Sequence, residues 1–168
     1  MTLEKDINQQ VFRSEYQKSV INLIYTFNWM NERVNKQFIP FDITQQQFNI
    51  LRILRGAAEP LSTLQIRQRM LDKMSDTSRI VDRLVKKGMV KKTVCREDRR
   101  LVDVLLTDKG KELLQSMDGP MENMESIFKY ISEAEARQLN YLLDKIRTTE
   151  NPSNDTAVDD SIPPPKEI

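Results

Sequence analysis

The chain has 168 residues and a mass of 19.7 kDa, enough for one domain with appendages and for a core that needs no disulfide. Hydrophobic residues make up 39% and charged residues 30%, and no apolar run approaches the ~20 residues of a spanning helix, so no membrane partner is expected. One cysteine excludes a disulfide framework, zero histidines remove the commonest metal ligand and general base, and four glycines form no phosphate-cradling loop. An enzyme, a metal site and a cofactor are therefore not expected. The opening MTLEKDINQQ lacks the apolar segment of a signal peptide, which makes a cytoplasmic location the expectation.

The formal net charge of +1 hides a segregation along the chain. Residues 1–60 carry +1, residues 61–111 carry +7 and residues 112–168 carry −7. A basic centre beside an acidic end points to a polyanion-binding segment, or to a solvated basic face without a partner.

In chain order, Ile7 to Phe38 is free of proline and glycine. Tyr16, Val20, Leu23, Phe27, Met30 and Val34 recur there at helical spacing. A helix of about 30 residues is long for a globular domain, so a second chain is expected on its face. Pro40 ends it. Thr44 with Gln47 has the spacing of a capping box before Phe48, Leu51 and Leu54, with Gly56 closing that helix. Ser62 caps a short helix carrying Leu64, Ile66 and Met70, which ends near Leu71. After a break at Asp72-Lys73-Met74, a further helix runs from Ser75 to Lys87, with Ile80, Val81 and Leu84 inward and Gly88 at its end. Two short helices joined tightly within a basic block read as a helix-turn-helix.

Val90–Val94 and Leu101–Leu106 read as strands flanking the charged segment Cys95-Arg-Glu-Asp-Arg-Arg100. A hairpin placed directly after such a helix makes a winged helix. Thr107 caps the next helix. Its stripe of Leu113, Met117, Met121, Met124, Phe128 and Ile131 is interrupted at Gly119-Pro120, where a kink or break is expected. Ser132 with Glu135 opens a last helix with Leu139, Leu142, Leu143 and Ile146 on one face. Residues 150–168 hold four prolines, no aromatic residue and a net charge of −4, the composition of a disordered acidic tail. The methionines and the aromatic set Tyr25, Phe27, Trp29, Phe38, Phe41 and Phe48 are read as core or interface rather than as a ligand pocket.

Lys86-Lys-Gly88-Met-Val90, Asp98-Arg-Arg100 and Leu106-Thr-Asp-Lys-Gly110 occur in that order. With Ser78-Arg-Ile-Val-Asp82-Arg-Leu84 and Pro60-Leu-Ser-Thr-Leu64 upstream, the chain resembles the MarR family of winged-helix transcriptional regulators over residues 7–149. The implied fold is mainly α with a small β-hairpin wing. Residues 1–40 would form an N-terminal dimerisation helix, 41–111 the winged helix-turn-helix and 112–149 the C-terminal dimerisation helices. The resemblance implies a homodimer bound to pseudo-palindromic double-stranded DNA. It also implies repression relieved by a small, often aromatic or anionic, ligand. The alternative is a winged helix used for protein contact or for non-specific DNA binding.

Carried onto this chain, the resemblance places Arg100 in the minor groove, with Asp98 orienting it. Arg96 and Arg99 would meet phosphates. Ser75, Thr77, Ser78 and Arg79 fall in the first turns of the recognition helix, which reach base edges. Arg79 is the leading candidate to read guanine, and Arg83 shares its face. Ser75 equally suits an N-cap. Asp76 would be repelled by phosphates unless it caps the helix or accepts from cytosine. Arg67 stands where the family more often has a small residue, so either it runs outward or the helices pack at a different angle. Cys95 lies among arginines that lower a thiol pKa. The N-terminal helix, where redox-sensing members carry their cysteine, has none, so redox sensing is not expected.

Overall fold

The computed structural model describes residues 2–57, 59–94 and 102–148. Helix α1 (Leu3–Asp6) precedes α2 (Glu15–Phe38), a 3-10 turn (Ile39–Phe41) and α3 (Gln45–Arg55). Strand β1 (Leu61–Ser62) leads into α4 (Thr63–Arg69) and α5 (Thr77–Lys86). Then follow β2 (Val90–Val94), β3 (Val102–Leu106), α6 (Asp108–Glu122), a 3-10 segment (Asn123–Phe128) and α7 (Glu133–Thr148). The architecture is a mostly helical winged helix-turn-helix. The chain divides into two compact units, one ending at Met124 and the other beginning at Glu125. No described helix is long and apolar enough to cross a membrane.

Local chemistry sets most helix starts. Thr44 accepts from the Gln47 amide at 3.2 Å while the Gln47 side chain accepts from the Thr44 amide at 3.1 Å, which closes the expected capping box. Ser62 and Gln65 repeat the device at α4, as Ser132 and Glu135 do at α7. Each satisfies two amides that the helix itself leaves without partners.

The first long helix starts later than its composition implies. Ser14 accepts from the Gln17 amide at 3.2 Å and fixes the start at Glu15. Upstream, Asn8 takes a left-handed conformation (φ 54°), so the Ile7–Phe38 run breaks. The freed α1 buries Leu3 and ties Glu4 to Lys18 at 2.6 Å. Two further boundaries differ from expectation. Helix α4 ends at Arg69, because Met70 turns to an extended conformation and buries its side chain. The irregularity expected at Gly119-Pro120 falls just downstream. Pro120 sits in the last turn of α6, where it offers no amide to the carbonyl four residues back, and the chain tightens to 3-10 at Asn123.

The core of the first unit is built around fully buried Ile50, Leu51, Ile66, Val81, Leu84, Val104, Leu114 and Met117. Each such side chain contributes about 1.5–3 kcal/mol on burial. Phe38 and Phe48 pack with ring centroids 5.2 Å apart. Leu114 and Met117 bring α6 into this core, so the helix continues the winged helix rather than leaving it. The sheet is antiparallel in the order β1-β3-β2. Val90 pairs with Leu106 and Val94 with Val102. The third strand, Leu61–Ser62, pairs with Val104 and Asp103. Two residues are too short to show a period, and the hairpin reading missed it.

The base of the wing is tightly joined. Helix α5 ends in a Schellman motif, with Gly88 at φ 71° and the Met89 and Gly88 amides donating to Leu84 and Val85 carbonyls at 3.0 and 2.9 Å. Gly110 opens α6 against this bend, where a Cβ would collide with the Met89 carbonyl oxygen and press Leu106 at 3.2 Å. Gly110→Ala is expected to lose about 1–3 kcal/mol, read as a lower denaturant midpoint at unchanged m-value.

Candidate nucleic-acid interface

Helix α5 has two faces. Ile80, Val81 and Leu84 point into the core, and Ser78, Arg79, Asp82 and Arg83 are exposed. Asp76, not Ser75, is the N-cap, and its carboxylate accepts from the Arg79 amide at 3.2 Å. The helix accordingly begins at Thr77 rather than Ser75. The Ser75 hydroxyl donates to the Asp72 carbonyl at 2.9 Å and holds the turn between α4 and α5. Of the two roles open to Asp76, capping is the one present. A carboxylate there favours the positive end of the helix.

Thr77 requires a correction. It is 3% exposed and packs inward as the first residue of α5, so its hydroxyl is not presented to a duplex. Among the described residues that hydroxyl has no hydrogen-bond partner. Inward placement follows from helical spacing: Thr77 lies three and four residues before buried Ile80 and Val81.

Arg79 projects outward, 81% exposed at its side chain, with its Nε 3.1 Å from Asp76 Oδ2. An exposed pair of this kind contributes about 0–1 kcal/mol, so a stronger partner can displace Asp76 from the guanidinium. Asp82 pairs with Lys92 of β2 at 2.6 Å, not with its neighbour Arg83. The hydrogen bond from Lys92 and its charge hold the Asp82 carboxyl below its usual range. This pair ties the exposed face of α5 to the wing, a link across ten residues that helical spacing does not reveal.

Arg67 runs outward from α4, while Ile66 takes the fully buried position beside it. Arg67 lines a cleft of about 430 Å³ with Thr63, Leu64, Met74, Ser75, Asp76, Thr77 and Ser78. The cleft runs between α4 and the start of α5. The wing-tip residues Cys95, Arg96, Asp98, Arg99 and Arg100 lie outside the described residues, as does the tail 150–168. Strand β2 nonetheless presents Lys91, Lys92 and Thr93 to solvent at the root of the wing.

Burial of an unpaired hydroxyl makes Thr77 a testable position. Thr77→Val keeps the shape and removes the orphaned group, so a gain of about 1 kcal/mol is expected. DNA affinity is expected to stay unchanged in the same variant. Urea unfolding and a binding titration read the two.

A family model described as MarR family matches residues 41–101, which span α3, the helix pair and the first half of the wing. The multiple antibiotic resistance protein MarR of Salmonella typhimurium is 30% identical over 127 residues, covering 74% of this chain and 88% of that protein. The HTH-type transcriptional regulator PecS of Dickeya dadantii is 29% identical over 120 residues, covering 70% and 72%. A mutant Escherichia coli MarR solved in complex with operator DNA superposes with a TM-score of 0.65 at 26% identity, covering 87% of this chain and 99% of that one. A MarR transcription factor from Planctomyces limnophilus gives a TM-score of 0.59 at 31% identity, with 83% and 98% covered. A winged helix with its exposed α5 face intact, matched to these relatives over most of their length, places the chain in the MarR family of DNA-binding transcriptional regulators.

Proposed function

We propose that the protein is a homodimeric, sequence-specific regulator that represses transcription from a pseudo-palindromic operator until a small aromatic or anionic ligand releases it. The reading is carried by the outer face of α5. Ser78, Arg79 and Arg83 lie on solvent at its N-terminal and central turns, while the opposite face is locked into the core. In such a motif those turns enter the major groove. Ser75 and Ser78 would serve phosphates or base edges beside Arg79, and Arg83 a phosphate one turn further on. Arg100 would enter the minor groove, oriented by Asp98, with Arg96 and Arg99 on phosphates.

Dimerisation is supported by α2. Val34 and Phe38 at its end join the core, but Tyr16, Val20, Leu23, Ile24 and Phe27 are exposed. A large apolar stripe left on water marks an interaction surface. In this reading residues 1–40 and 112–149, apart from core-facing Leu114 and Met117, supply the dimer contacts, and 41–111 bind DNA. Release by a ligand is the part of the reading that rests on the resemblance alone, many members of the family being repressors released by small ligands.

Selection from random duplexes, followed by titration of the enriched sequence against a scrambled one, tests the reading. Tighter binding to the enriched duplex supports a sequence-specific regulator, and equal binding to both overturns it. Arg79→Ala is expected to relax preference at one base pair by roughly 1–3 kcal/mol. Arg100→Ala is expected to weaken all duplexes with little change in preference. Val20→Glu combined with Phe27→Glu is expected to give a folded monomer in analytical ultracentrifugation that binds the operator weakly. A monomer with full operator affinity would refute the dimeric reading. Small aromatic carboxylates added to the complex are expected to release the duplex.

A further inference from the structure

We infer that Met74, with Leu64 facing it across the cleft between α4 and α5, reads the 5-methyl group of a thymine in the operator. The inference rests on the preceding reading that α5 enters the major groove, and it adds a specificity-determining contact to it.

Met74 is 94% exposed and Leu64 65% exposed, and both line the same cleft beside the first turn of α5. Their neighbours there are polar or charged: Arg67, Ser75, Asp76 and Ser78. Met74 does not hang from a loose loop. Its amide donates to Asp72 Oδ1 at 3.0 Å, the Ser75 hydroxyl donates to the Asp72 carbonyl at 2.9 Å and the Thr77 amide donates to the Ser75 carbonyl at 3.0 Å. Buried Met70 anchors the start of the turn and buried Thr77 its end. The backbone is thus fixed on both sides of a side chain that contributes almost nothing to the core. Tight turns favour Gly, Asn, Asp and Ser for backbone reasons, and none of those reasons applies to methionine.

The chemistry of the groove selects the partner. Asp76 is committed to the helix cap and to Arg79, so it is not the group that reads a base at this point. Among the features on base edges in the major groove, the thymine methyl is the apolar one, and apolar side chains are its usual contacts. A long, polarisable thioether adapts to a methyl group better than a branched chain does. Arg67, exposed on the same cleft, suits the adjoining phosphate.

The test uses the full chain and the duplex enriched by selection. Each thymine of one half-site is replaced singly by deoxyuridine, which removes only the 5-methyl group. Wild type is expected to lose about fourfold in affinity at one thymine, the worth of one buried methyl. In Met74→Ala the same replacement is expected to cost nothing, and in Leu64→Ala less than in wild type. Unchanged thermal melting of Met74→Ala checks that folding is intact, as its exposure requires. Equal binding of wild type to every deoxyuridine duplex overturns the inference, and so does a Met74→Ala variant that keeps the full penalty. Failure to enrich any duplex falls instead on the regulator reading itself.

Discussion

The hydroxyl of Thr107 is the pin of the structure. It donates to the Gly88 carbonyl at 2.7 Å and accepts from the Gly110 amide at 3.2 Å, while the Thr107 amide donates to the Met89 carbonyl at 3.1 Å. Four elements meet there: the end of α5, the inner ends of β2 and β3, and the start of α6. Each bond is worth only about 1 kcal/mol, but together they leave the chain one path through the junction. Gly88 must turn left-handed and Gly110 must lack a side chain for that path to exist. Lys109 and Lys87 extend the junction, with Lys109 Nζ on the Lys87 carbonyl at 2.9 Å and Lys87 Nζ 3.0 Å from Asp42 Oδ2. The angle between helix and wing is therefore a property of the junction and not of the wing tip.

That rigidity has a use in recognition. In the proposed reading, a helix and a hairpin whose separation is set before binding lose less affinity to ordering on the duplex. The Asp82–Lys92 pair adds a second tie, halfway along α5. It is exposed and weak by itself, yet it draws a lysine of the wing toward the helix and keeps the Asp82 carboxylate paired on the exposed face of α5.

The two outward surfaces of the first unit differ in kind. The exposed face of α5 is charged and polar, and its Arg79–Asp76 pair is exposed and weak. The exposed face of α2 is apolar from Tyr16 to Phe27 and joins the core only at Val34 and Phe38. The C-terminal end of the helix is held by its own chain, while its N-terminal part leaves apolar surface in water. Both surfaces belong to elements packed on one core, in which α3 lies against both α2 and α5.

What the residues decided alone was local. Thr44 with Gln47, Ser62 with Gln65 and Ser132 with Glu135 place helix starts because the groups that satisfy the free amides lie within three residues. β-rich composition placed both wing strands, with alternation in the second, and Gly88 placed the end of α5, since those choices need only steric and hydrogen-bonding terms of neighbouring residues. The winged helix was legible for that reason, and with it the polar face carrying Ser78, Arg79 and Arg83. Packing decided the rest. Thr77 carries the residue type of a surface contact but faces inward, because Ile80 and Val81 fix the rotation of α5. Asp76 is the cap, while the Ser75 hydroxyl serves the turn by donating to the Asp72 carbonyl. Strand β1 exists only because β3 offers an edge to two residues more than 40 positions upstream. The bond of Lys92 to Asp82 and the shared cleft of Leu64 and Met74 likewise join separate elements. Such contacts depend on distances between elements, and a one-dimensional pattern carries no term for them.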